Sequence, residues 1–68
     1  MDSTYKVIQL VGSSSESWEK AASNAVEKAA KSVRDLRIAE VIEMDMQIED
    51  GKVVAYRTKL KVSFKFED

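Results

Sequence analysis

Residues 43–59, EMDMQIEDGKVVAYRTK, decide the fold. Asp50-Gly51 reads as a turn, and on either side of it apolar and charged residues alternate with the period of a strand. Glu43 and Asp45 alternate with Met44 and Met46 before the turn. Arg57 and Lys59 alternate with Tyr56, Thr58 and Leu60 after it. This is an antiparallel hairpin, and the length of its loop sets which residues share a face. A two-residue Asp50-Gly51 loop pairs Glu49 with Lys52, which sets Met44, Met46 and Ile48 beside Arg57, Lys59 and Lys61. A one-residue slip of this kind turns every side chain to the wrong face. A three-residue loop, either Glu49-Asp50-Gly51 or Asp50-Gly51-Lys52, restores parity, with Gly51 free to take φ > 0. The three-residue loop is therefore expected. Ile42, Met44, Met46 and Ile48 then share a helix-covered core face with Val54, Tyr56, Leu60, Val62, Phe64 and Phe66. Glu43, Asp45 and Gln47 share the other face with Arg57, Lys59 and Lys61.

Upstream of the hairpin, YKVIQLV (residues 5–11) is apolar on both faces and rich in Val and Ile, which predicts a strand covered on two sides. Gly12 and three serines interrupt it. Ser13 and Glu16 have the spacing of a capping box, with Ser14 and Ser15 as alternative caps. From there to about Leu36 the apolar residues Trp18, Ala21, Ala25, Val26, Ala29 and Val33 recur at spacings of three and four, which predicts one long helix. Glu16–Lys20 and Glu27–Lys31 are i,i+4 pairs with the acid N-terminal. The middle of the stripe is alanine, so the helix can lie close on a sheet but buries little area. Trp18 reads as a lid packed over a sheet edge. The order strand, helix, strand, strand defines an α+β fold, a three-stranded antiparallel sheet wrapped on one long helix, in a single domain spanning residues 1–68.

A chain of 68 residues is a small domain. It buries only roughly 60% of its unfolded surface, and such a core rarely supplies more than ~3–5 kcal/mol. The chain has no Cys and no His, which removes disulfides and the usual zinc and haem ligands. Oligomerisation, aided by an oxygen-ligated hard cation, is the stabiliser that remains. A net charge of −1 argues against nucleic acid or an anionic membrane as partner. No apolar run approaches the ~18 residues of a membrane span, and MDSTYKVIQL lacks the layout of a secretory signal. The expected compartment is the cytoplasm.

Catalysis has little to work with. Without His and Cys the chain lacks the usual general base at neutral pH and the usual nucleophile. GSSSES offers one glycine, which is no phosphate loop. The EF-hand pattern is absent as well. Acids on one strand of the hairpin face bases on the next, either as a solvated ion-pair ladder or as groups covered by other subunits.

Taken together and in order, YKVIQLVGSS, SWEKAASNAVEKAAKSVRDL, AEV and YRTKLKVSFKFED cover nearly the whole chain and resemble the dodecins. The resemblance implies a strand–helix–strand–strand subunit of a hollow homododecamer that is not an enzyme. Dodecins bind and sequester flavins such as riboflavin or FMN, stacked in pairs between aromatic rings. Flavin-binding members carry a stacking tryptophan just before the EV of the second strand, where this chain has Ile38. They carry a ring-contacting glutamine after the tyrosine of the last strand, where this chain has Arg57. They carry an arginine on the second strand where this chain has Asp45. No residue is therefore assigned to a flavin. SWE, RIAEVIEMDM and YRTKLKVSFK look more like the calcium dodecin branch, which implies Ca²⁺ in place of flavin. Glu43 and Asp45, on the uncovered sheet face, are the candidate metal ligands, and pairing of the same two carboxylates with Arg57 and Lys59 is the competing expectation. Flavin storage in an altered pocket and a purely structural shell are the remaining alternatives.

Overall fold

The computed structural model describes residues 2–66. Met1 of the expected domain, and Glu67 and Asp68 of its closing segment, lie outside them. Four elements follow in the expected order: β1 (Tyr5–Ser14), α1 (Trp18–Ala30), β2 (Leu36–Glu49) and β3 (Lys52–Lys65). The sheet is antiparallel throughout, in the order β1-β3-β2. The C-terminal strand is thus central, and β2 is left on an edge.

The hairpin resolves its parity by a different device from the one expected. The turn is the two-residue one: Glu49 pairs with Lys52, and Asp50 and Gly51 both take positive φ, 51° and 76°. That is the turn whose twist matches the flanking strands. Parity is restored one step further on, where Ile48 pairs with Val53 but Gln47 with Ala55, leaving Val54 as an extra residue in β3. Beyond this bulge Met46 stands opposite Tyr56, and Asp45 opposite Arg57. A second bulge leaves Ile42 unpaired between Val41, opposite Leu60, and Glu43, opposite Lys59. From Ile38 up to it, odd positions of β2 face the helix; after it, even positions do, and a further shift between Leu36 and Ile38 sets Leu36 opposite Phe64. Ile42 therefore does not continue the row of Met44 and Met46.

The first strand is longer than expected, because Gly12 does not end it. Gly12 pairs with Thr58 inside the ladder. A Cβ there would run into the carbonyl oxygen of Ala21 and lie 3.0 Å from the Cβ of Ala25. The glycine and the alanine stripe together let the helix approach the sheet closely, as the small residues foretold. The helix begins later than the capping-box spacing proposed, with Ser17 as N-cap, its Oγ accepting from the Lys20 N–H at 3.0 Å. Ser14 instead accepts from the Glu16 N–H at 3.0 Å. The helix also ends earlier, at Ala30. Val33 in the connection and Leu36 at the start of β2 are both half-buried, which is why the apolar spacing ran past the helix end. Glu16 precedes the helix, and neither expected helical ion pair is among those formed by the described residues.

Gly12 on β1 and Thr58, Leu60 and Val62 on β3 are buried under the helix, and Ala21 is buried on the helix face turned toward them. The helix does not reach across β2. Met44 lies on the expected side of the sheet but is 58% exposed, and Val41 50%. Nor is β1 covered twice, since Val7 and Val11 look out from the opposite face. The chain is a plate of 52 × 20 × 13 Å with a radius of gyration of 14.0 Å. A compact domain of this length has about 11 Å. No helix of the described residues is long and apolar enough to cross a membrane.

Candidate functional site

The face of the sheet turned away from the helix is built by cross-strand rows. Val11, Lys59 and Glu43 form one row; Ser13, Arg57 and Asp45 form the next. Alternation aims the even residues of this stretch of β2 at the helix side, so the odd acids emerge here beside the bases of β3. Arg57 donates two parallel hydrogen bonds to Asp45, Nε to Oδ1 at 2.7 Å and Nη2 to Oδ2 at 2.8 Å. Lys59 Nζ lies 2.9 Å from Glu43 Oε1. Together with Val11 these four side chains line a small cleft of about 80 Å³.

Both candidate metal ligands are therefore on one face, in adjacent rows, and each is held by a base of the central strand. All four side chains remain between 43% and 65% exposed, so the pairs are open to solvent and to exchange of partners. The hydrogen bonds from Arg57 hold the Asp45 carboxyl below the ordinary carboxylate range. Partial desolvation opposes them, and the charges of Arg57 and Lys59 add to them. The same hydrogen bonds raise Arg57. Among the described residues no group of three or more acids comes together closely enough to hold a metal.

Two further residues belong to this region that the sequence did not point to. The bulge at Ile42 turns Glu40 onto the same face, opposite Lys61, although its parity differs from that of Glu43 and Asp45. Trp18 comes to the region from behind. As expected of a lid it packs over the edge strand, but its indole N–H also donates to the Asp45 carbonyl at 3.0 Å. Its ring stands edge-on to Tyr56, with centroids 5.0 Å apart. On the helix side an apolar groove of about 650 Å³ opens between Trp18, Ala22 and Val26 of the helix and Val41 and Met44 of β2. Ile38, in the slot where flavin-binding dodecins stack a ring, is 67% exposed and offers no aromatic plane.

A small β-α-β-β sheet-on-helix domain, with an open charged face and an exposed apolar edge, is the class the geometry defines. The Dodecin family profile matches residues 4–67. Over 63 residues the chain is 52% identical to the calcium dodecin of Mycobacterium tuberculosis, covering 93% of this chain and 89% of that one. The crystal structure of that calcium-chelating protein, described with a calcium-binding site, superposes with a TM-score of 0.85 at 53% identity, covering 96% of this chain and 93% of the other. Dodecin from Streptomyces davaonensis superposes with a TM-score of 0.93 at 29% identity over the whole of both chains. The chain belongs to the dodecin family.

Proposed function

We propose that this chain is a non-catalytic, cytoplasmic subunit of a homododecamer that sequesters Ca²⁺, with Glu43 and Asp45 among the ligands. The observation that carries the reading is the pair of carboxylates in adjacent rows of an uncovered sheet face, in a chain similar to a calcium dodecin. Carboxylate oxygens are the donors a hard cation takes, but Ca²⁺ needs six to eight oxygens. Two side chains do not supply them, so the site requires carboxylates or carbonyls from other copies around a symmetry axis. A divalent ion entering there displaces Arg57 and Lys59 from their partners.

Assembly is supported by the shape of the protomer. Val41, Met44, Met46 and Ile48 form an exposed apolar row on β2, and a plate this thin leaves most of its apolar surface to be covered by neighbours. Flavin storage is the less favoured ligand class. Its stacking plane is replaced by Ile38, and Asp45 and Arg57 already satisfy one another.

Light scattering tests the assembly, with a mass near twelve times 7.7 kDa expected. Calorimetric titration of Ca²⁺ into that assembly, with riboflavin fluorescence followed in parallel, tests the ligand. Saturable Ca²⁺ binding that is lost when Glu43→Gln is combined with Asp45→Asn supports the reading. Riboflavin quenching without Ca²⁺ binding replaces it with flavin storage, and neither signal leaves a structural shell.

A further inference from the structure

Asp45 sits on an edge strand between two irregularities, the bulges at Ile42 and Val54. An edge strand is hydrogen-bonded on one side only and carries carbonyls that no neighbour strand uses. Such a segment has little to hold its direction, yet Asp45 meets Arg57 with bidentate geometry. The reason lies on the opposite face of the sheet. Trp18 grips the backbone around this ion pair at three points. Its indole N–H donates to the Asp45 carbonyl at 3.0 Å. Its ring packs edge-on against Tyr56, the residue before Arg57. Its own carbonyl accepts from the hydroxyl of buried Thr58, the residue after Arg57, at 3.0 Å. The tryptophan is thus tied to one member of the pair and to both chain neighbours of the other.

We infer that Trp18 is a positioning residue for the Asp45 carboxylate: clamping the Asp45 carbonyl from the helix side fixes the side chain toward the open face. In this role it neither touches the ligand nor lies in the cleft. It acts through the strand, and the inference rests on the reading of Asp45 as a Ca²⁺ ligand. The indole nitrogen is the atom that matters, because the aromatic contact with Tyr56 is available to any ring of similar size.

The chain has one tryptophan, so its replacement during expression by an isosteric analogue with sulfur in place of the indole N–H alters Trp18 alone. The assembled analogue protein is compared with the unmodified protein, with Trp18→Phe, and with Ser17→Ala, which weakens the same helix start without touching the clamp. The analogue and Trp18→Phe are expected to bind Ca²⁺ about fivefold more weakly, the factor carried by one ordinary hydrogen bond. Ser17→Ala is expected to melt lower with Ca²⁺ affinity unchanged. Equal affinities in the unmodified and analogue proteins overturn the assignment. If the unmodified protein binds no Ca²⁺, the calcium reading falls separately, and a stability cycle combining the analogue with Arg57→Gln decides the positioning role. A coupling of about threefold in the unfolding equilibrium upholds it, and an additive cycle overturns it.

Discussion

Asp45 and Arg57 face each other directly across the β2–β3 ladder and close a two-bond fork, with N···O distances of 2.7 and 2.8 Å, on the side of the sheet the helix leaves open. A fork of this geometry fixes orientation as well as charge. Lysine at position 57 would keep the charge and lose the fork.

The pair gives the protein an acid-sensitive term of known sign. The carboxyl of Asp45 is lowered in the folded state, chiefly by hydrogen bonds from Arg57. Its stabilisation is therefore fully present above the ordinary carboxylate range and is lost as pH falls through the lowered folded value. Asp45→Asn lacks the term at every pH. The gap in Tm between the two proteins should be widest near neutrality and close on acidification, as followed by circular dichroism at low salt. A gap that stays constant down to the acid limit contradicts this account.

Helix capping distinguishes two serines. Ser17→Ala removes the acceptor of the Lys20 N–H and should cost about 1 kcal/mol. Ser13 lies within β1, opposite Arg57, so Ser13→Ala should leave the helix start unaffected. Denaturant melts at one fixed chain concentration compare them, since the proposed assembly would make apparent stability concentration-dependent.

Gly12→Ala should be the most damaging of the small substitutions. The added methyl meets the backbone of Ala21, which no side-chain rotation can clear. The helix must lift from β1, at a cost of about 3 kcal/mol. Thermal unfolding measures it. A loss of less than about 1 kcal/mol would show that the helix shifts freely.

Met44→Lys places a charge in the exposed apolar row of β2 while leaving the buried residues under the helix untouched. Light scattering should show loss of the large assembly, with the helical signal retained in the dissociated protein. An unchanged mass would mean that this row is not an interface.

What the sequence revealed and what it concealed divide along physical lines. The order of elements was legible because alternation and the three–four spacing are strong, distinct signals. The faces of Met44, Met46, Asp45 and Arg57 were legible because the alternation of apolar and charged residues puts each kind on its own side of the sheet. The device that sets those faces was not, since a longer loop and a two-residue turn followed by a bulge give the same alternation from residue 47 back to 43. Ser17 was hidden among neighbouring serines, each able to cap. The helix end was masked because half-buried Val33 and Leu36 continue the apolar spacing after the backbone has left the helix, and because Asp35, at φ 59°, makes the reversal where a glycine would have signalled it. In the candidate site, the facing acids and bases followed from the pattern. The bond from Trp18 to Asp45 joins residues 27 positions apart and depends on where the helix lands, so no local spacing announces it.

The bulges at Ile42 and Val54 make the hairpin behave like a message with compensating frameshifts. The bulge at Val54 brings the ion pairs into register behind a two-residue turn, and the bulge at Ile42 shifts the register back, so that Val41 and Glu40 lie on the faces of Leu60 and Lys61. Insertions and deletions in this hairpin therefore follow an unusual rule. Removing Ile42 only straightens the ladder, leaving Val41 opposite Leu60 on the helix side and Glu40 opposite Lys61 on the open face. Removing Val54 likewise leaves Ile48 opposite Val53 and Gln47 opposite Ala55. Single-residue variation in length within the hairpin should then collect at positions 42 and 54, where the ladder absorbs it without turning any neighbour over.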